Sequence, residues 1–65
     1  MKFTIEILRA AEGVEQVLYR SVLRAISPRW AKSKAQTLLS AWKARGANGV
    51  RVLNGSGQEL YYWTE

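Results

Sequence analysis

The chain contains no histidine and no cysteine. It therefore cannot form a zinc finger, an iron–sulfur centre or a disulfide, and it has no thiol or imidazole for catalysis. Its five acidic residues are all glutamates and are scattered rather than paired, which gives no support for a carboxylate hydrolase or a metal site. We predict a protein that is not an enzyme and has no cofactor, metal or small-molecule substrate.

Long apolar runs are also missing. No run approaches the about 20 residues of a membrane-spanning helix, and Glu6 interrupts the apolar N-terminal residues that a signal peptide would need. The absence of cysteine favours a cytoplasmic protein. With 65 residues starting at Met1, we expect a complete gene product that forms one small basic domain over residues 1–65.

The clearest element in the sequence is a helix from Pro28 to about Arg45. Ser27 can cap its first turn, proline suits the first helical position, and Gly46 suits a left-handed C-cap. Apolar residues recur at three- and four-residue spacing and predict one buried stripe. The stripe comprises Ala31, Ala35, Leu38, Leu39 and Trp42. We expect Trp30 and Ile26 to staple the start of the helix onto the first hairpin.

The C-terminal third predicts a β-hairpin around Gly55-Ser56-Gly57. A three-residue loop would pair Val52 with Leu60 and Val50 with Tyr62, which gathers apolar side chains on one face. In this register Leu53, Tyr61 and Trp63 lie on the other face, beside Arg51.

Residues 14–26 decide the fold, because they fit either a strand or a helix. As a strand, after a loop of residues 10–14, they would pair Arg9 with Glu15, Ile7 with Val17 and Ile5 with Tyr19. The strand gives an α+β fold of order ββαββ, with two hairpins in one antiparallel sheet and the helix packed on one face. The helix gives βααββ, which resembles a winged helix that lacks its first helix. We predict ββαββ and keep βααββ as the alternative.

Charge is distributed unevenly along the chain, whose formal net charge is +5. No acidic residue occurs between Gln16 and Gln58, whereas a surface built only for solubility intersperses both signs. Lysine and arginine bind nucleic-acid backbones by displacing counterions. The predicted phosphate-binding residues are Arg29, Lys32, Lys34, Lys43, Arg45 and Arg51. A solvated basic helix face without a ligand is the competing interpretation.

Two classes of function follow. The first is a non-enzymatic domain that binds DNA or RNA through phosphate contacts of the basic helix face. The alternative is a homo-oligomer, such as a homodimer, or another protein-interaction module, with Leu53, Tyr61 and Trp63 as its exposed interface. Aromatic side chains beside arginine can also stack on bases. The apolar stripe of the helix suits docking on a sheet, so we expect no membrane binding.

Overall fold

A computed structural model describes all residues, 1–65, and confirms an α+β fold of order ββαββ. The strands are β1 (Lys2–Ala11), β2 (Val14–Arg24), β3 (Gly49–Asn54) and β4 (Glu59–Thr64), and the helix is α1 (Pro28–Trp42). They form one antiparallel sheet of order β2-β1-β3-β4, with β1 paired to both β2 and β3. Residues 14–26 therefore supply a strand, as predicted, and the βααββ alternative is wrong.

The core lies between α1 and one face of the sheet, because the alternating side chains of β1 and β3 meet the apolar stripe of the helix there. The buried members of this helix-side core are Phe3, Ile5, Ile7, Ala25, Ala31, Ala35, Leu39, Ala47, Val50 and Val52. The small alanines let the helix approach the sheet closely. No helix of the structure has the length and apolar character needed to cross a membrane.

The ends of α1 form as the sequence predicts. The Ser27 side chain accepts a hydrogen bond from the Trp30 amide, and Gly46 adopts a left-handed φ of 94° after a short 3₁₀ turn, Lys43–Arg45. The predicted staple is wrong, however. Ile26 is 91% exposed and Trp30 is 50% exposed, because the chain leaves β2 at Arg24 and it is the next residue, Ala25, that enters the core.

The first hairpin has a tighter turn than expected. Its loop is only Glu12 and Gly13, both with positive φ (54° and 79°), which is the geometry of a type I′ turn. A bulge in β2 near Leu18 then shifts the pairing. The predicted pairs are therefore wrong. The observed partner of Arg9 is Gln16, that of Ile7 is Tyr19 and that of Ile5 is Ser21.

The second hairpin has the predicted three-residue loop, closed by a hydrogen bond from the Asn54 amide to the Gln58 carbonyl. The Asn54 side chain also accepts bonds from the Ser56 and Gln58 amides. A bulge at Leu60 then shifts β4 by one residue.

This shift changes which face the aromatic residues share. Val52 pairs with Tyr61, Val50 with Trp63 and Arg51 with Tyr62, so the predicted register is wrong. A one-residue shift moves every side chain beyond the bulge to the opposite face of the sheet. Tyr61 and Trp63 therefore lie on the helix side, and Tyr62 lies on the open face.

Candidate nucleic-acid interface

The open face of the sheet, opposite α1, collects three of the five glutamates in one ionic network. The carboxylate of Glu6 accepts hydrogen bonds from Arg20 at 2.7 and 2.9 Å and from Arg51 at 3.2 Å. The Arg51 guanidinium also contacts Glu15 at 2.7 Å and Glu59 at 3.1 Å. Two guanidinium groups thus face three carboxylates, so the network itself has no excess of positive charge.

Arg51 is therefore placed apart from the other predicted phosphate-binding residues. It lies on the open face, and its Nε, Nη1 and Nη2 atoms all donate to carboxylates. A phosphate would have to displace these partners to bind it. This placement corrects the expectation that Arg51 extends the basic surface of the helix.

The same network connects the β1–β2 hairpin with β4 at the opposite edge of the sheet. Glu15 lies on β2 and accepts a hydrogen bond from the Tyr62 hydroxyl on β4, although β1 and β3 separate these two edge strands. Strands spaced about 4.8 Å apart put β2 and β4 about 14 Å apart, so these two long side chains reach toward each other over β1 and β3. Leu8 lies on this open face and is fully buried although it is outside the helix-side core.

The hydrogen bond between Tyr62 and Glu15 shifts the pKa values of both groups in opposite directions. Donation by the Tyr62 hydroxyl, together with Arg51, lowers the pKa of the Glu15 carboxyl. Acceptance by Glu15 raises the pKa of the Tyr62 hydroxyl above its ordinary 10.0. The contact thus favours a charged carboxylate and a neutral phenol at neutral pH.

The cations of the helix, in contrast, are nearly free of carboxylates. Among them only Lys43 forms a salt bridge, at 3.1 Å to Glu65, and both side chains are about half exposed. Such an exposed pair contributes little stability and is screened by salt. The cationic side of α1 is therefore turned to solvent and keeps a surplus of positive charge.

The helix cations divide between two faces. Lys32 and Lys43 lie toward β4, where their ammonium groups are 4.5 Å from the Tyr61 ring centroid and 6.0 Å from that of Trp63. Arg29 is three residues before Lys32, so helical geometry places it on the same side. We call these three cations the β4-side face.

Lys34 and Arg45 belong to a different part of the helix surface. Lys34 is two residues after Lys32, which places it about 200° around the helix. The Arg45 guanidinium lies 5.1 Å from the Trp42 ring, which in turn stacks on Tyr19 of β2. We call Lys34 and Arg45 the β2-side face. The structure thus does not bring all the predicted helix cations together.

A cleft of about 300 Å³ runs beside the β4-side face, between α1 and β4. Its walls combine aromatic, cationic and neutral polar side chains. They are Gln36, Leu39, Ser40, Lys43, Tyr61 and Trp63. The Gln36 amide is 3.5 Å from the Tyr61 hydroxyl, and Trp63 is 38% exposed. We call this the α1–β4 cleft.

The cleft corrects the interface expected from sequence. Leu53 lies on the open face with Arg51, whereas Tyr61 and Trp63 lie on the helix side because of the bulge at Leu60. These three residues therefore do not share one exposed sheet face. The structure instead places the two aromatic residues beside the lysines that were predicted to bind phosphate.

Glu6 is the residue whose importance the sequence reasoning missed. From sequence it was noted only as an interruption of the apolar N-terminal residues, yet it is 5% exposed and connects Arg20 on β2 with Arg51 on β3. Its position in the middle of the most apolar strand was the available signal. A carboxylate there needs cationic neighbours on both adjacent strands.

No protein-family model, curated protein or solved structure matches this chain. The function of the α1–β4 cleft and the adjoining cations therefore has to be argued from their own chemistry.

Proposed function

We propose that this protein is a small non-enzymatic domain, acting in the cytoplasm, that binds DNA or RNA through the β4-side face of α1. Arg29, Lys32 and Lys43 contact phosphates at separate points along the strand. From Arg29 to Lys43 the helix rises about 21 Å, which is the length of about six nucleotides in a stacked strand. The contacts are to the backbone, so they do not require a particular sequence.

The separation of charge between the two sides of the molecule is the observation that carries this proposal. Glu6, Glu15 and Glu59 are drawn onto the open face by Arg20 and Arg51. The helix side, whose cations have Glu65 as their one carboxylate partner, is left strongly positive. A surface of this kind attracts polyanions and accelerates their association.

Fluorescence anisotropy with labelled 20-nucleotide single strands and 20-base-pair duplexes, at low and moderate salt, tests the proposal. The wild-type protein should bind at low salt, and its affinity should fall as salt rises. The double variant Lys32→Glu/Lys43→Glu should lose binding, because both changes reverse charge on the β4-side face. Absence of wild-type binding to both nucleic acids at low salt would refute the proposal.

A matched variant separates a specific face from the effect of net charge. Lys34→Glu/Arg45→Glu changes the net charge by the same amount on the β2-side face. It should retain most of the affinity, because it weakens only the long-range attraction and leaves the phosphate contacts of the β4-side face in place. Equal losses in the two double variants would show that total charge, and not the β4-side face, determines binding.

A further inference from the structure

We infer that the α1–β4 cleft takes unstacked bases, so that single-stranded nucleic acid is the ligand of this protein. The inference rests on the proposed function and specifies its substrate class. It is argued from the spacing of the aromatic rings, their neighbouring cations and the polar groups of the cleft.

The spacing of Tyr61 and Trp63 suits bases that have been separated from one another. The two residues are two positions apart on β4, so both project to the helix side about 6.8 Å apart along the strand. Stacked bases in a duplex are about 3.4 Å apart. Two adjacent rings at twice that distance can each receive a base only if the bases are unstacked.

Each ring also has a cation over one of its faces. The Lys32 ammonium lies 4.5 Å from the centroid of Tyr61, and the Lys43 ammonium lies 6.0 Å from that of Trp63. A nucleotide whose base contacts either ring thus has a cation within reach of its phosphate. This pairing of aromatic and basic groups is typical of single-strand binding sites.

Neutral polar groups complete the cleft. Gln36 can donate and accept hydrogen bonds, and so can the hydroxyl of Ser40. Base edges that are paired in a duplex are free in a single strand and can bond to such groups. The cleft volume of about 300 Å³ leaves room for a base.

Trp63 provides the test that separates this inference from simple phosphate binding. The probes are a labelled 20-nucleotide oligothymidylate and a labelled 20-base-pair duplex. Trp63→Leu should weaken binding of the oligothymidylate about 5- to 150-fold, because one stacking contact is removed. It should change binding of the duplex less than twofold, and Trp63→Phe should bind the oligothymidylate nearly as well as wild type.

Trp30→Leu is the matched control, since Trp30 is exposed as well but lines a different groove, near Met1 and Arg24. It should leave both affinities unchanged. Intrinsic fluorescence supplies a second measurement that does not depend on a disruptive variant. Oligothymidylate should quench the wild-type and Trp30→Phe proteins, whereas Trp63→Phe should bind without comparable quenching.

The outcomes separate the two proposals. If the duplex and the oligothymidylate bind equally well and Trp63→Leu changes neither affinity, the inference is wrong while phosphate binding by the helix stands. If quenching persists in Trp63→Phe, the cleft is not the site of base contact and the inference is likewise wrong. If neither nucleic acid binds, both proposals fail.

Discussion

Replacing Glu6 with glutamine should destabilise the fold strongly, because Glu6 is the buried centre of the ionic network on the open face. Its carboxylate accepts three hydrogen bonds from Arg20 and Arg51, and the Glu6 side chain is 6% exposed. Glutamine keeps the shape but loses the negative charge, which leaves two guanidinium groups facing an uncharged amide across β1.

The magnitude follows from the burial of each partner. A hydrogen bond to a charged group contributes about 1.5–3 kcal/mol to stability. The bonds from Arg20 contribute less than this, because the Arg20 side chain is 61% exposed and solvent screens its charge. Arg51 retains Glu15 and Glu59 as partners. We therefore expect a loss of about 2–3 kcal/mol, out of a total of about 3–10 kcal/mol for a chain of this length.

Urea unfolding followed by tryptophan fluorescence measures this loss. The transition midpoint should fall while its slope with denaturant stays constant, and the thermal midpoint should drop by about 10–20 °C. Glu12→Gln is the control, because Glu12 is exposed in the β1–β2 turn and forms no ion pair. A Glu6→Gln protein within about 0.5 kcal/mol of wild type would refute this account of the open face.

Three further predictions concern other parts of the molecule. Gly49→Ala should lower the free energy of unfolding in urea by about 1–3 kcal/mol, since its Cβ would lie 2.8 Å from Cγ2 of Thr64. Adding Thr64→Ser should recover part of this loss, and no recovery would show that the contact with Thr64 is not the cause. Tyr62 should ionise above pH 10.0 in an absorbance titration, because Glu15 raises its pKa. A raised pKa favours the neutral phenol in the folded state, so its contribution to folding stability is present below pH 10 and is lost as pH rises through the folded pKa. Glu15→Gln should lower the pKa of Tyr62, and an unchanged Tyr62 titration in this variant would contradict the contact. Glu65→Gln should strengthen oligonucleotide binding severalfold in anisotropy measurements, because it frees the lysine that Glu65 pairs with; weaker binding would show that the salt bridge positions that lysine for the ligand.

Local patterns were enough to predict the helix of this fold. The Ser27-Pro28 start, the Gly46 stop and the apolar stripe of α1 depend on interactions within a few residues, and all three are confirmed. The strand pattern of residues 14–26 was ambiguous, since the same residues also make an apolar stripe at helical spacing. These residues pair with β1 in the sheet, and this tertiary contact, which local patterns do not show, makes them a strand.

Register could not be predicted in the same way, because the tight turn of the first hairpin and one bulge in each hairpin change the pairing. The loop of the second hairpin was predicted correctly, yet the bulge at Leu60 moved Tyr61 and Trp63 to the helix side. No local signal marks Leu60 as the extra residue. A bulge there lets both large rings pack beside α1 and leaves Tyr62 to reach Glu15. The α1–β4 cleft follows from that shift and was therefore outside the reach of sequence reasoning.

The salt dependence of binding tests the central claim most directly. If Arg29, Lys32 and Lys43 neutralise three phosphates of a single strand, log K should fall with log salt with a slope of about −2. Replacing both lysines with alanine should reduce the slope by about 1.4, and Lys34→Ala should leave it unchanged. A wild-type slope near zero, or an equal reduction by Lys34→Ala, would contradict the claim that the β4-side face binds the phosphate backbone.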